Sequence, residues 1–343
     1  MQKRRPSTKR SLQGYPLHQC ALYKVSSKRR LAELLGLDKK KLVELSKKTD
    51  NYSVFELPEE SCEFTGKVKK ARWVQNPVPE LKELHRRIQT LLSRVSVPDY
   101  CHGGAKGRSY RSNAATHVAA SFVATFDLKA FFPSTKADQV FRFFSQDLKC
   151  VPDVAGLLTD LCTYQRVLPT GSPVSPLLAF WANRMLFSSL HKRATEQNLT
   201  LSVYVDDVTL SGKSLPADLN EQVDGIVRKY GQQLSIGKTK VFGPDTPKHV
   251  TGVVINRGKL MVPYSRFHKA RAINRAIKKT ANDGRREALT AKLSGLLGEA
   301  AFIDARYKAW AERCYEALAL VKAKRATASP RIPKSRGKLL LKV

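Results

Sequence analysis

The chain has 343 residues, 42% of them hydrophobic, which is enough for a sizeable core and about two domains. Lys and Arg number 61 against 29 Asp and Glu, a formal charge of +32, and that balance predicts a polyanionic partner. No run approaches the ~20 apolar residues of a spanning helix, the basic start Met1–Pro6 lacks the apolar core of a secretory signal, and the six cysteines are scattered without a C-x-x-C pair. A membrane protein, a zinc ribbon and a disulfide framework are therefore excluded, and reduced thiols in a cytosolic protein are expected.

In chain order, residues 1–50 are basic and helical in pattern. Lys28 to Gly36 reads as a helix with a glycine stop, and Asp38 as the N-cap of a second helix ending near Lys48. Their basic face suits either solvent or RNA. Tyr52 to Asn76 turns strand-like, with a turn at Phe64-Thr65-Gly66-Lys67 and the cations Lys69, Lys70 and Arg72. Leu81, Leu84, Ile88, Leu91 and Leu92 recur at helical spacing between Glu80 and Val95. Cys101 to Ser109 is a Gly-rich basic loop, suited to close approach by a phosphate or simply flexible. It lacks the P-loop spacing, so a nucleoside triphosphatase is rejected. Ser121 to Asp127 is a strand ending in a carboxylate. Leu168 to Pro176 is a Pro/Gly/Ser loop opening the apolar run Leu177–Phe187. Leu201 to Leu210 reads as a hairpin with Asp206 and Asp207 at its tip.

Past Arg257 the chain is helical and basic. Arg266, His268, Lys269, Arg271, Arg275, Lys278 and Lys279 make a cationic helix face. A further helix is expected from Leu293 to Trp310. The basic stretch beyond Lys322 is expected to be mobile or ordered only on RNA.

Adjacent carboxylates repel, and each raises the other's pKa unless a cation neutralises them. Hard oxygen donors of this kind suit Mg²⁺. An aspartate ending one strand, an aspartate pair on a hairpin and a Gly-Ser loop opening a helix fit a phosphoryl-transfer centre. Two cations about 3.5–4 Å apart clamp the attacking and leaving oxygens in such a centre.

The ordered segments "FDLKAFFPS", "LPTGSPVSP" and "YVDD" resemble the palm motifs of reverse transcriptases. Asn113-Ala114-Ala115-Thr116-His117 and Val250-Thr251-Gly252 resemble two signatures of the retron-type enzymes of bacteria. That resemblance implies an α/β (α+β) right-hand polymerase. Its parts are a basic helical extension (1–50), fingers (51–117), a ferredoxin-like palm (118–256, with finger elements inserted), a helical thumb (257–322) and a basic flexible tail (323–343). It implies Asp127, Asp206 and Asp207 as catalytic ligands of two Mg²⁺ ions, with the Leu128 carbonyl as an extra donor. It implies Lys70, Arg72, Phe132, Thr170, Gly171 and Lys238 around the incoming dNTP, Phe132 as a gate beneath its sugar and Lys238 at the departing pyrophosphate. It places Asn113, His117, Arg266, Arg271, Arg275 and Lys278 on RNA, and the Gly-rich loop beside the template path.

The activity implied is RNA-directed DNA synthesis on a cognate structured noncoding RNA. Its product is a branched RNA-linked single-stranded DNA (msDNA), made in the bacterial cytoplasm for anti-phage defence with a separate effector protein. A group II intron-type enzyme, a DNA-templated polymerase and a non-catalytic RNA-binding scaffold are the alternatives. Two positions depart from the family pattern. Thr170 stands where many reverse transcriptases have Gln, leaving Gly171 and Ser172 to meet the nucleotide through their backbone. Val205 stands where retron enzymes often have Ala.

Overall fold

The structure is a computed structural model that describes residues 14–328. Two compact units form. One holds residues up to Ser61 together with Lys67–Met261, and the other holds Cys62–Gly66 with the chain from Val262 onward.

In the first unit, α1 (Lys28–Leu35) starts on the Ser27 hydroxyl, which accepts from the Arg30 N–H, and stops at Gly36 in the left-handed region (φ +73°). For α2 (Lys39–Lys47), Asp38 accepts from the N–H groups of Lys40 and Lys41, as its N-cap position predicts. A ribbon follows. Strand β1 (Tyr52–Leu57) pairs antiparallel with β4 (Arg72–Pro77), and between them the short β2 (Glu60–Ser61) pairs with β3 (Val68–Lys69). Pro79 at its first turn and the apolar stripe from Leu81 to Leu92 make α3 (Pro79–Leu92) a buried helix. Next comes α4 (Tyr110–Ala115), closed by a reciprocal Ser109–Ser112 capping box.

The centre of the unit is a four-stranded antiparallel sheet. Strand β5 (Phe122–Asp127) leads through α5 (Phe131–Ser134), α6 (Ala137–Arg142), α7 (Pro152–Cys162), α8 (Ser175–Ala182) and α9 (Arg184–Glu196) to β6 (Thr200–Tyr204) and β7 (Asp207–Gly212). Helix α10 (Leu219–Lys229) then delivers β8 (Lys240–Phe242). The strand order β6-β7-β5-β8 with this connectivity is the ferredoxin-like split βαβ arrangement. The chain thus has the mixed α/β architecture expected of it. A small sheet follows, in which β10 (Val253–Asn256) is flanked by β9 (Lys248–Val250) and β11 (Lys259–Met261).

Side-chain alternation gives the central sheet two unlike faces. Ala124 and Phe126 lie opposite Leu210 and Val208, and this face joins the buried helices in one core. The other face carries Thr125 opposite Thr209 and Asp127 opposite Asp207. At about 25 cal/mol per Å² of apolar surface, the helix-covered face stabilises the sheet, and the opposite face is left for polar chemistry.

The apolar run from Leu177 is not one helix. It breaks at Asn183, between α8 and α9, where the buried amide donates to the Thr135 hydroxyl (2.9 Å) and the Ala179 carbonyl (2.9 Å). The same side chain accepts from Gln139 (3.0 Å) and Gln232 (3.1 Å). A buried amide satisfied this fully fixes the bend.

The second unit is helical: α11 (Tyr264–Lys279), α12 (Asp283–Ile303) and α13 (Lys308–Ala328). Ile273, Leu289, Leu293, Leu297 and Ala311 form its core, with Phe64 of the Cys62–Gly66 segment packed against it. The helix expected from Leu293 to Trp310 is interrupted. Residue Asp304 ends α12, accepts from the Arg306 N–H and starts a short 3-10 turn. The stretch expected to be a tail from residue 323 is helical as far as Ala328, and the remainder, 329–343, lies outside the described residues, as does the basic start 1–13. Among the described residues no helix is long and apolar enough to cross a membrane.

Candidate active site

Antiparallel pairing brings the carboxylates together. Asp127 ends β5, Asp207 begins β7, and the two are directly opposed, with Tyr204 of β6 opposite Asp207 on its other side. Opposed residues project from the same face. Val205 and Asp206 form the two-residue tip of the β6–β7 hairpin, one residue before the expected Asp206-Asp207 tip, because Asp207 already pairs with Tyr204 and opens β7. Leu128 donates its N–H to the Asp206 carbonyl (2.9 Å), which ties the end of β5 to that tip. A cleft of about 430 Å³ opens over this face, lined among others by Asp127, Asp207, Lys238, Lys240 and His249.

The electrostatics are those of an anionic cluster. Burial, then Asp206, then Asp127 push the Asp207 acid up from 3.8 to about 7. Asp206 is also raised, first by burial and then by Asp127. The Lys238 ammonium sits on both oxygens of Asp127, at 2.9 Å each, and that pairing holds Lys238 above its usual range. Among the described residues no three His, Cys, Asp or Glu side chains are gathered into a ready-made metal cage. What the face offers is hard oxygen donors, excess negative charge and one ammonium already resting on them. That donor set fits divalent cations of the Mg²⁺ class.

The hairpin tip is strained. Val205 has φ +60°, where a β-branched side chain is a true outlier, and such residues cost on the order of 1–3 kcal/mol. The Gly-rich loop holds the tip in place. The N–H groups of His102 and Gly103 donate to the Val203 carbonyl (2.8 and 3.3 Å), and the Val203 N–H donates to Tyr100 (2.7 Å). A Cβ on Gly103 would lie 2.3 Å from the Val205 nitrogen. The glycine that suggested a phosphate loop therefore serves close packing against the hairpin.

The two signature segments meet each other. The hydroxyl of Thr251, in the β9–β10 turn, donates to the Tyr110 carbonyl (3.0 Å) and accepts from the Asn113 amide (3.4 Å). Thr251 and Gly252 both have positive φ (+45° and +79°), as a primed two-residue hairpin turn requires. His117 lies on the polar sheet face between Ser202 of β6 (2.6 Å) and Ser211 of β7 (2.7 Å). Burial drives its pKa down to about 3, so it is neutral and both ring nitrogens are used. Asn113 and His117 are fully buried. Both were expected on RNA; here their side chains face inward, His117 on the strands β6 and β7 and Asn113 on Thr251.

The Leu-Pro-Thr-Gly-Ser loop is likewise spoken for. The Thr170 N–H and hydroxyl donate to the Gln75 side-chain oxygen (3.1 and 3.0 Å), and the Gly171 N–H donates to the Gln75 carbonyl (3.1 Å). The Ser172 hydroxyl donates to the His85 Nδ1 (2.7 Å), whose Nε2 donates to the Leu161 carbonyl (2.7 Å). The Gly171 N–H is therefore already engaged within the chain. Gln75, unmarked in the sequence, docks this loop on β4, the strand that also carries exposed Arg72. Lys70 is exposed beside it. Phe131 is buried against Phe187, while Phe132 is only partly buried.

Of the basic set in α11, Arg271, Arg275 and Lys278 are exposed. Arg266 is less exposed than these three and is paired with Glu299 at 3.0 Å.

The family model described as "Reverse transcriptase (RNA-dependent DNA polymerase)" matches residues 47–255, the stretch that contains every one of these carboxylates. The chain belongs to the reverse transcriptase family. This reverse transcriptase is similar to the retron Ec86 reverse transcriptase of Escherichia coli, 31% identical over 215 residues that cover 62% of this chain and 67% of the relative. It is similar to the retron Se72 reverse transcriptase of Salmonella heidelberg, 30% identical over 247 residues (68% of this chain, 63% of the relative). A third relative is the retron Mx65 reverse transcriptase of Myxococcus xanthus, 30% identical over 207 residues (54% and 48%). The reverse transcriptase is of the retron type, and the matched stretch spans from about half to two thirds of these relatives' lengths.

Proposed function

We propose that this reverse transcriptase copies part of a cognate structured noncoding RNA into single-stranded DNA, and that Asp127, Asp206 and Asp207 are its catalytic carboxylates. The observation that carries this is the direct opposition of Asp127 and Asp207 on the polar sheet face, with Asp206 beside them. The three carboxylates, with the Leu128 carbonyl, would hold two Mg²⁺ ions, which when bound supply activation of the primer hydroxyl and charge neutralisation at the leaving pyrophosphate. Lys238 neutralises Asp127 in the resting site and is then free to meet the pyrophosphate side of the dNTP. Arg72 and Lys70 supply cations at the exposed β4 edge for the triphosphate. Thr170 and Gly171 act by fixing β4 through Gln75.

Phe132 forms the floor under the incoming sugar, since Phe131 beside it is taken up by the core. Phe132→Ala is expected to raise ribonucleotide relative to deoxyribonucleotide incorporation in primer extension. An unchanged ratio would return Phe132 to a packing role.

The retron reading extends the proposal. Synthesis starts from a 2′-hydroxyl within the same RNA and leaves a branched RNA-linked DNA (msDNA). The setting is the bacterial cytoplasm, with a separate effector protein in anti-phage defence. Support comes from the two signature segments, which here form one connected brace, and from the retron relatives. DNA from cells expressing the enzyme with its RNA is expected to carry a 2′,5′ branch that a debranching nuclease removes. Linear DNA alone would reject the retron mechanism and leave a general reverse transcriptase.

A further inference from the structure

The exposed face of α11 is more than a cationic stripe. Helical spacing aligns Tyr264, His268, Arg271, Arg275 and Lys278 along it. Tyr264 is 76% exposed. Its ring centre lies 6.2 Å from His268 and 6.4 Å from Phe267, tilted to both. Phe267 is held edge-on by Tyr307 at 6.2 Å, and the Arg271 guanidinium covers it at 5.7 Å. Tyr264, Phe267, His268, Arg271 and Arg275 together wall a pocket of about 240 Å³. That is below the roughly 300–1,000 Å³ of sites for drug-sized molecules, and it suits a single base.

A helix that only grips a duplex through phosphates needs cations and nothing else. A single exposed aromatic is ordinary, but here an open tyrosine face is continuous with an imidazole and two guanidiniums around one cavity. Paired bases hide their faces in the helical stack. An unpaired base offers its face to an aromatic ring and its phosphate to arginine, which is how single-stranded RNA is commonly held. We propose that this pocket receives one unpaired nucleotide of a structured RNA, with the base against Tyr264 and His268 and the flanking phosphates on Arg271 and Arg275. The proposal rests on the RNA-copying function. It makes α11 a reader of a bulge or loop in the RNA.

The test uses the full chain and three labelled probes: a two-stranded RNA duplex with one bulged adenosine, the same duplex fully paired, and a bulged DNA duplex. Tyr264→Ala is expected to weaken binding of the bulged RNA by about 5- to 150-fold, to leave the paired RNA unchanged, and to be rescued by Tyr264→Phe. Arg271→Gln with Arg275→Gln is expected to weaken both RNAs and flatten the salt slope by about two contacts at most, at 0.7–0.9 per contact. Equal weakening of bulged and paired RNA by Tyr264→Ala, or no weakening, overturns the pocket. An equal loss on bulged DNA overturns the assignment to RNA. Binding is read without synthesis, so failure of the copying function would show separately, as absent extension of an annealed primer by the unaltered chain.

Discussion

Replacing Asp127, Asp206 or Asp207 by Asn is expected to lower DNA synthesis by at least about a thousandfold, because several kcal/mol of transition-state charge stabilisation are lost and each 1.4 kcal/mol is a factor of ten. RNA binding and folding should survive, since Asp127 and Asp207 lie on the polar face, Asp206 at the hairpin tip, and none belongs to the apolar core. Primer extension on an RNA template measures the first effect, and synthesis persisting in the triple variant would sink the catalytic assignment. The pH dependence of stability gives an independent readout. The Asp207 acid is raised from 3.8 to about 7, so the folded state keeps a proton that the unfolded chain releases. That contribution to stability is fully present below about pH 4 and is lost as pH rises through about 7. Asp206 works in the same direction. Asp207→Asn should therefore flatten the decline in melting temperature of the metal-free protein across that window. Added Mg²⁺ should stabilise the unaltered protein increasingly over the same range, because only the ionised carboxylates bind it.

The second large effect is expected at His117. His117→Ala leaves the Ser202 and Ser211 hydroxyls buried without their partner. Each such group costs about 1–3 kcal/mol, so a loss of about 2–6 kcal/mol and a melting temperature lower by roughly 4–24 °C are expected. The hairpin strands that present Asp206 and Asp207 would loosen together, and synthesis should fall on every template alike. Selective loss on the cognate RNA, with normal melting, would instead show that His117 acts in RNA recognition.

Much of the site was legible because it is local. The hairpin, the carboxylate ending β5 and the N-cap at Asp38 follow from residue type and spacing over a few positions. The interior of the polar face was not legible, because its logic is long-range. Ser202 and Ser211 read as ordinary strand residues until β6 and β7 are laid beside α4, and only then does His117 explain both. A signal existed, in that serine alternating with Leu and Val sits where a half-buried strand would turn its second face inward. Gln75 gave no signal at all, since its role depends on the loop at Thr170, far along the chain. Gly103 was marked by its sequence context, but its partner was not. A Gly-Gly doublet announces close backbone approach and says nothing of whether a phosphate or another strand approaches. Asn183 and Asp304 break helices that periodicity alone would continue, because polar networks override an apolar pattern.

The strand order also bears on how the chain assembles. Strand β5 is made first yet lies between β7 and β8, both of which come later in the sequence. Until those strands exist, both of its edges are unpaired while four of its six residues are apolar, the condition that invites misassociation. Closing so long a loop is slow and is rewarded only when the later strands dock. A polypeptide synthesised only as far as β6 therefore holds no half-built centre in working order, since Asp127 has no opposite number until Asp207 arrives. The opposed carboxylates therefore exist only once the sheet is complete, however early Asp127 itself is made.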